Sequence, residues 1–143
     1  MMTKKMLYLL AFISICMPLK SYSDEANKVF IILTTPDVQT QLMAMVLTTE
    51  MSKHGEVEEI LLCGPAGALA LKNSKDVVLK PINKSPRMLL KALIERGVNV
   101  KVCPLFLPNA TLTSDALIGG VTVAKPALIA HKLLEHDVKV FTF

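Results

Sequence analysis

Val98-Asn99-Val100-Lys101-Val102-Cys103-Pro104 decides how the rest of this chain is read. Valines at alternate positions suit a pleated, buried backbone, and Pro104 has no N–H with which to continue a ladder. The stretch is expected to be a strand that presents Cys103 at its carboxyl end. In open α/β sheets, ligands and chemistry collect in the crevice beyond the carboxyl ends of the strands, so Cys103 is the first candidate for a functional residue.

Working outward, the neighbouring segments alternate between strand and helix patterns. Residues 28–34, unbroken in apolar side chains from Val29 to Leu33, read as a strand covered on both faces. Pro36-Asp37 turns the chain into a helix from about Val38 to Lys53, with Val38, Leu42, Met45, Val46 and Thr49 on one stripe and Gly55 closing it. Met43, Met45 and Met51 at helical spacing read as core fillers, and His54 as a C-terminal cap of that helix. A second strand over 58–63 ends on Cys63. The following Gly64-Pro65-Ala66-Gly67 allows a tight turn and close approach of backbone to a bound group, and a short helix over 66–73 would point its first N–H groups at the same crevice. Gly64, Ala66, Gly67 and Pro104 are the candidate ligand contacts.

Residues 76–82 read as extended but outside a sheet centre, because of Pro81. Ser85-Pro86 is an N-cap followed by proline at the first helical position, and Met88, Leu89, Ala92 and Leu93 give that helix its apolar stripe until Gly97. Beyond Pro104, the stretch 105–111 is a loop by its proline and asparagine yet apolar in content, so it should pack over the crevice or against another subunit. A single helical turn capped by Thr113, a break at Gly119-Gly120, a strand over 121–124, a helix from Pro126 to about Glu135 and a strand over 138–143 complete the chain. The expected architecture is a three-layer α/β sandwich with a five-stranded, mostly parallel sheet.

Three stretches resemble the DsrE/DsrF-like proteins: Leu61-Leu-Cys-Gly-Pro-Ala-Gly67; Leu89–Val98 running into Val100-Lys-Val-Cys-Pro104; and Leu117-Ile-Gly-Gly-Val-Thr-Val-Ala-Lys-Pro126. The resemblance covers nearly all of residues 28–143 and defines a DsrE/DsrF-like domain over 24–143. It implies a five-stranded parallel sheet between helices and a homo-oligomer, commonly a trimer or hexamer. Sulfur-relay members of that family carry sulfur as a persulfide on the cysteine that corresponds to Cys103, receiving it from donor and passing it to acceptor proteins. The family's sheet order also makes the strands ending at Cys63 and Cys103 neighbours, about 4.8 Å apart and within the span of a disulfide.

The amino terminus is read separately. Lys4 and Lys5 precede an apolar run of 12 residues, Met6 to Met17, and Ser21-Tyr22-Ser23 offers small residues where a signal peptidase inspects them. A cleaved signal peptide over residues 1–23 and a periplasmic location are expected. The run is too short to span a bilayer, which needs about 20 apolar residues, so no stable membrane span is expected. Removing Lys4, Lys5 and Lys20 lowers the formal charge from +4 to +1, and both tyrosines leave with the signal in a chain that has no tryptophan. Nothing is left to hold or stack on nucleic acid.

Two cysteines then remain, and neither zinc-ligand spacing nor a His–Asp pair is visible, so no metal or cofactor is expected. Three uses of the pair stay open. Cys103 can be a persulfide-forming thiol of a sulfur carrier or thiol-redox protein, with Cys63 resolving it; thiolate formation would then draw on helix N-termini at Ala66 or Thr113. A Cys63–Cys103 disulfide would instead close a loop of about 40 residues, worth roughly 4 kcal/mol, within a non-catalytic oligomeric binding module. The pair could also take a thiophilic metal such as copper(I).

Overall fold

The computed structural model describes residues 28–143, so the signal peptide expected over 1–23 lies outside the described residues. Five strands run β1 (Lys28–Leu33), β2 (Glu56–Leu62), β3 (Asn99–Val102), β4 (Val121–Val123) and β5 (Val138–Thr142). They form one sheet in the order β4-β3-β2-β1-β5, and every pairing is parallel. The helices are α1 (Val38–Met51), α2 (Pro86–Glu95), α3 (Phe106–Asn109) and α4 (Pro126–Leu133), with 3-10 turns at Gly64–Ala70 and Ser114–Ala116. No helix among the described residues is long and apolar enough to cross a membrane.

Strand alternation divides the core into two layers. Ile31, Leu33, Ile60, Leu62, Val100 and Val102 face α1 and α2, where they meet Ala44, Met45, Leu90 and Leu93. Phe30 and Leu61 point the other way and pack with Ala124 and Ile129 under α4. The second layer is thin: an eight-residue helix shelters that side, and Leu128, Leu134 and Val140 stay exposed there.

Both long helices start as their sequences require. Asp37 caps α1 by accepting from the Thr40 N–H at 2.8 Å, and the Ser85 hydroxyl caps α2 by accepting from the Met88 N–H at 3.1 Å. Gly97, at φ 91°, supplies the left-handed residue that ends α2. The buried faces differ from the expected stripes. In α1 they are Gln41, Leu42, Ala44, Met45 and Thr48, with Met43 exposed; in α2 they are Pro86, Arg87, Leu90 and Leu93, with Met88 exposed. Polar residues share the core because the backbone satisfies them: the Thr48 hydroxyl donates to the Ala44 carbonyl at 2.7 Å and the Gln41 amide to the Thr35 carbonyl at 2.8 Å. Helix α1 also stops at Met51, before Gly55, which leaves His54 exposed beyond its last turn. The segment 76–82 forms no strand and is folded back by a Leu79 N–H bond to the Lys84 carbonyl at 3.0 Å.

A bulge in β2 handles two consecutive glutamates. Val29 lies opposite Val57 but Phe30 lies opposite Glu59, so Glu58 is the extra residue and the alternation resets there. Without that reset, Glu58 and Glu59 would face opposite sides, and one carboxylate would enter the apolar layer under α1. With it, both face α4. Lys132 of α4 meets Glu58 at 2.7 Å and Glu59 at 3.2 Å, while Lys101 of β3 meets Glu59 at 2.6 Å. Burial pushes the Lys132 ammonium down, but its bonds to the two carboxylates outweigh this and leave it raised.

Glu59 is fully buried, so removing its charge strands Lys101 in a semi-buried site. Glu59→Ala is expected to destabilise the fold by about 3–5 kcal/mol in urea unfolding. The surface pair Glu50–Lys53, exposed and screened by solvent, should contribute far less by the same measurement.

Candidate functional site

The two cysteines emerge side by side at the carboxyl edge of the sheet. Leu62 is in register with Val102, and the Cys103 N–H extends the ladder by donating to the Leu62 carbonyl at 2.9 Å. The Cys63 N–H does the same to the Leu33 carbonyl at 2.9 Å, so β1, β2 and β3 finish together. Both cysteines are half-buried free thiols. Because Leu62 and Val102 face α1 and α2, the next residues, Cys63 and Cys103, fall on the opposite side. Cys63 packs there against Phe30, Leu61, Ala124 and Ile129.

The turn after each cysteine sets what it can reach. Gly64, at φ 50°, takes the left-handed conformation that swings the chain into the 3-10 turn. After Cys103, Pro104 contributes no donor, and the Phe106 N–H returns to the Cys103 carbonyl at 3.0 Å to begin α3. The greasy stretch expected as a loop is thus a four-residue helix packed beside the crevice, with Leu107 buried. Between the two turns lies a cavity of about 470 Å³ lined by Gly64, Pro65, Cys103, Leu105, Phe106, Asn109 and Ala110.

Of the expected ligand contacts, Gly64 lies in the cavity wall. Ala66 and Gly67 are buried behind it, and Pro104 carries the chain around its edge. Gly67 is required by packing: a Cβ there would stand 2.6 Å from the Phe106 ring. The N-terminal helix dipoles expected at Ala66 and Thr113 are not formed. Those segments are 3-10 turns of seven and three residues, too short and too poorly aligned to sum a macrodipole.

The thiols are unequal. Burial, the neighbouring Cys103 charge and a hydrogen bond with Cys103 push the Cys63 thiol up from its ordinary 9.0 to about 11. Cys63 therefore remains protonated at neutral pH. It is a hydrogen-bond donor beside Cys103, which has the open side. The pair is joined, two residues back along β3 and on the same face, by the Lys101–Glu59 ion pair. Local pattern does not reveal that charged neighbour; its signal in the sequence is a lysine and two glutamates inside otherwise apolar strands. Among the described residues no group of three or more His, Cys, Asp or Glu is arranged to hold a metal ion.

Solved structures share this fold. YchN shares the fold. That Escherichia coli protein superimposes with a TM-score of 0.68 at 20% identity, over 82% of this chain and 99% of YchN. MTH1491 from Methanobacterium thermoautotrophicum, a protein of unknown function, superimposes with a TM-score of 0.64 at 14% identity over 81% of this chain and 98% of its own. YchN and MTH1491 are DsrE/DsrF-like in fold, so the expected fold class is the one this chain adopts. No protein-family model and no curated protein sequence matches the chain.

A thiol pKa raised by folding favours the folded state most while the thiol is protonated. This contribution is full below the ordinary value of 9.0 and is lost as pH climbs toward 11. Urea unfolding of the reduced protein should show a fall in stability between pH 9 and 11. Cys63→Ser is expected to abolish that component of the fall.

Proposed function

We propose that this chain is an exported sulfur carrier that holds sulfane sulfur as a persulfide on Cys103. The observation that carries the reading is the pairing of Cys103, open to a cavity, with Cys63, held as a thiol at its side. Export rests on the amino-terminal pattern of residues 1–23.

The chemistry follows from that asymmetry. The Cys103 thiolate attacks a sulfane sulfur and displaces the rest of the donor, leaving Cys103 as a persulfide. The protonated Cys63 stabilises the anionic sulfur before attack by donating a hydrogen bond, which is strongest toward a charged acceptor. An acceptor thiolate then takes the outer sulfur and Cys103 departs as thiolate. No sulfur is oxidised or reduced overall, so the relay needs no cofactor. Cys63 can intercept the persulfide in the absence of an acceptor, closing a disulfide and releasing sulfide.

Oligomerisation as a trimer or hexamer is part of the same proposal. The thin layer around α4 leaves Leu128, Leu134 and Val140 exposed, and burial against further copies would cover them.

Reduced protein treated with inorganic polysulfide should gain one sulfur mass or a short run of them. Cys103→Ser should lose that gain, and Cys63→Ala should keep it at a lower rate. Failure of the reduced wild-type protein to take up sulfur would falsify the reading. Sedimentation equilibrium at micromolar concentration should give three or six times the chain mass, and a monomer would remove the assembly from the proposal.

A further inference from the structure

The wall of the Cys103 cavity restricts what can deliver sulfur. Pro65, Leu105, Phe106 and Ala110 supply apolar surface, and no Lys, Arg or His is part of the lining. Asn109 is its one polar side chain, and its Nδ2 already donates to the Leu105 carbonyl at 2.7 Å. The cation two residues back on β3, Lys101, is held by Glu59 at 2.6 Å. The segments leading away from the two cysteines are a seven-residue 3-10 turn and a four-residue helix, which leaves no helix dipole to replace a cation. An inorganic sulfur anion against this wall sheds part of its water without gaining a counter-charge, so it loads Cys103 more slowly than an uncharged donor does. An uncharged sulfur molecule sheds nothing polar and gains apolar contact on entry.

We propose that the donor to Cys103 is uncharged, apolar sulfane sulfur, of which ring sulfur is the simplest form. This rests on the persulfide reading and adds the class of donor to it. In the loading step the Cys103 thiolate attacks one ring sulfur. A bond forms between the cysteine sulfur and that atom as one ring S–S bond breaks, and the broken bond's electron pair becomes the negative charge at the far end of the opened chain. The cysteine sulfur rises from −2 to −1 in formal oxidation state while the terminal chain sulfur falls from zero to −1, so no further oxidant is involved. The opened chain extends over Leu105 and Phe106 with its charged end toward solvent.

The test uses the reduced full chain and two reagents, elemental sulfur added from acetone and sodium tetrathionate. The modification rate of Cys103, followed by peptide mass spectrometry, is divided by the rate of free cysteine with the same reagent. The normalised rate for elemental sulfur is expected to exceed that for tetrathionate at least tenfold. Leu105 is 69% exposed, so Leu105→Lys leaves the fold intact and places a cation at the rim. That variant should narrow the preference by at least fivefold, chiefly through faster reaction with tetrathionate. Equal normalised rates in the wild-type protein, or a preference that Leu105→Lys does not change, would overturn the donor class while leaving the polysulfide result above standing. No modification by either reagent or by polysulfide would remove both proposals.

Discussion

The parallel register between β2 and β3 is the constraint on which this molecule depends. Leu62 opposite Val102 fixes every side chain that follows, because a slip of one residue would exchange the faces of the whole strand. Were β3 displaced by one position, Cys103 would turn into the apolar layer beneath α1 and α2, and Lys101 would lose Glu59. The backbone bond from Cys103 to Leu62 carries the register one step past the last regular pair. Two sulfur atoms then share one side of the sheet edge with different surroundings, one against Phe30 and Ile129, the other beside open space.

The same register accounts for the buried charge. A carboxylate at zero exposure survives only with close cations and well-directed bonds. Here they come from two different elements, β3 and α4, with the bulge at Glu58 turning both carboxylates toward them. Such a cluster adds little net stability over a hydrophobic replacement. It does penalise any arrangement in which β3 slides against β2 or α4 lifts away, since each such movement leaves Glu59 with a missing partner. The thin α4 layer is thus held by geometry-sensitive charge pairing as well as by Phe30, Leu61, Ala124 and Ile129.

Much of this was legible in the residues. The unbroken apolar run at 29–33 announced a strand buried on both faces, the alternating valines of 98–102 announced another strand, and Ser85-Pro86 placed the start of α2 to the residue. The resemblance to DsrE/DsrF-like proteins anticipated the adjacency of Cys63 and Cys103. Local pattern failed where tertiary contacts decided the outcome. Arg87 is not part of the apolar stripe expected for α2, yet it is buried there because its guanidinium reaches the carbonyls of Ser74 and Lys72. Residues 105–111 contain a proline and an asparagine and read as a loop, yet Pro108 lies within the single turn of α3, too short for its missing N–H to matter much. The bulge in β2 left no mark except two adjacent acids in a strand. Glycine at position 67 suggested backbone close to a ligand, whereas it accommodates a ring.

That last detail has an evolutionary consequence. The hollow beside Cys103 owes its shape to an aromatic wedge whose depth is set from behind, by a position with no side chain at all. Enlarging residue 67 by a single methyl would drive the wedge forward into the hollow, so the reactive sulfur's surroundings can be remodelled by a substitution that never faces them. Diversification of this edge is therefore constrained jointly: 67 and 106 have to change as a couple, and a chain that acquires bulk at the first is under pressure to shed it at the second.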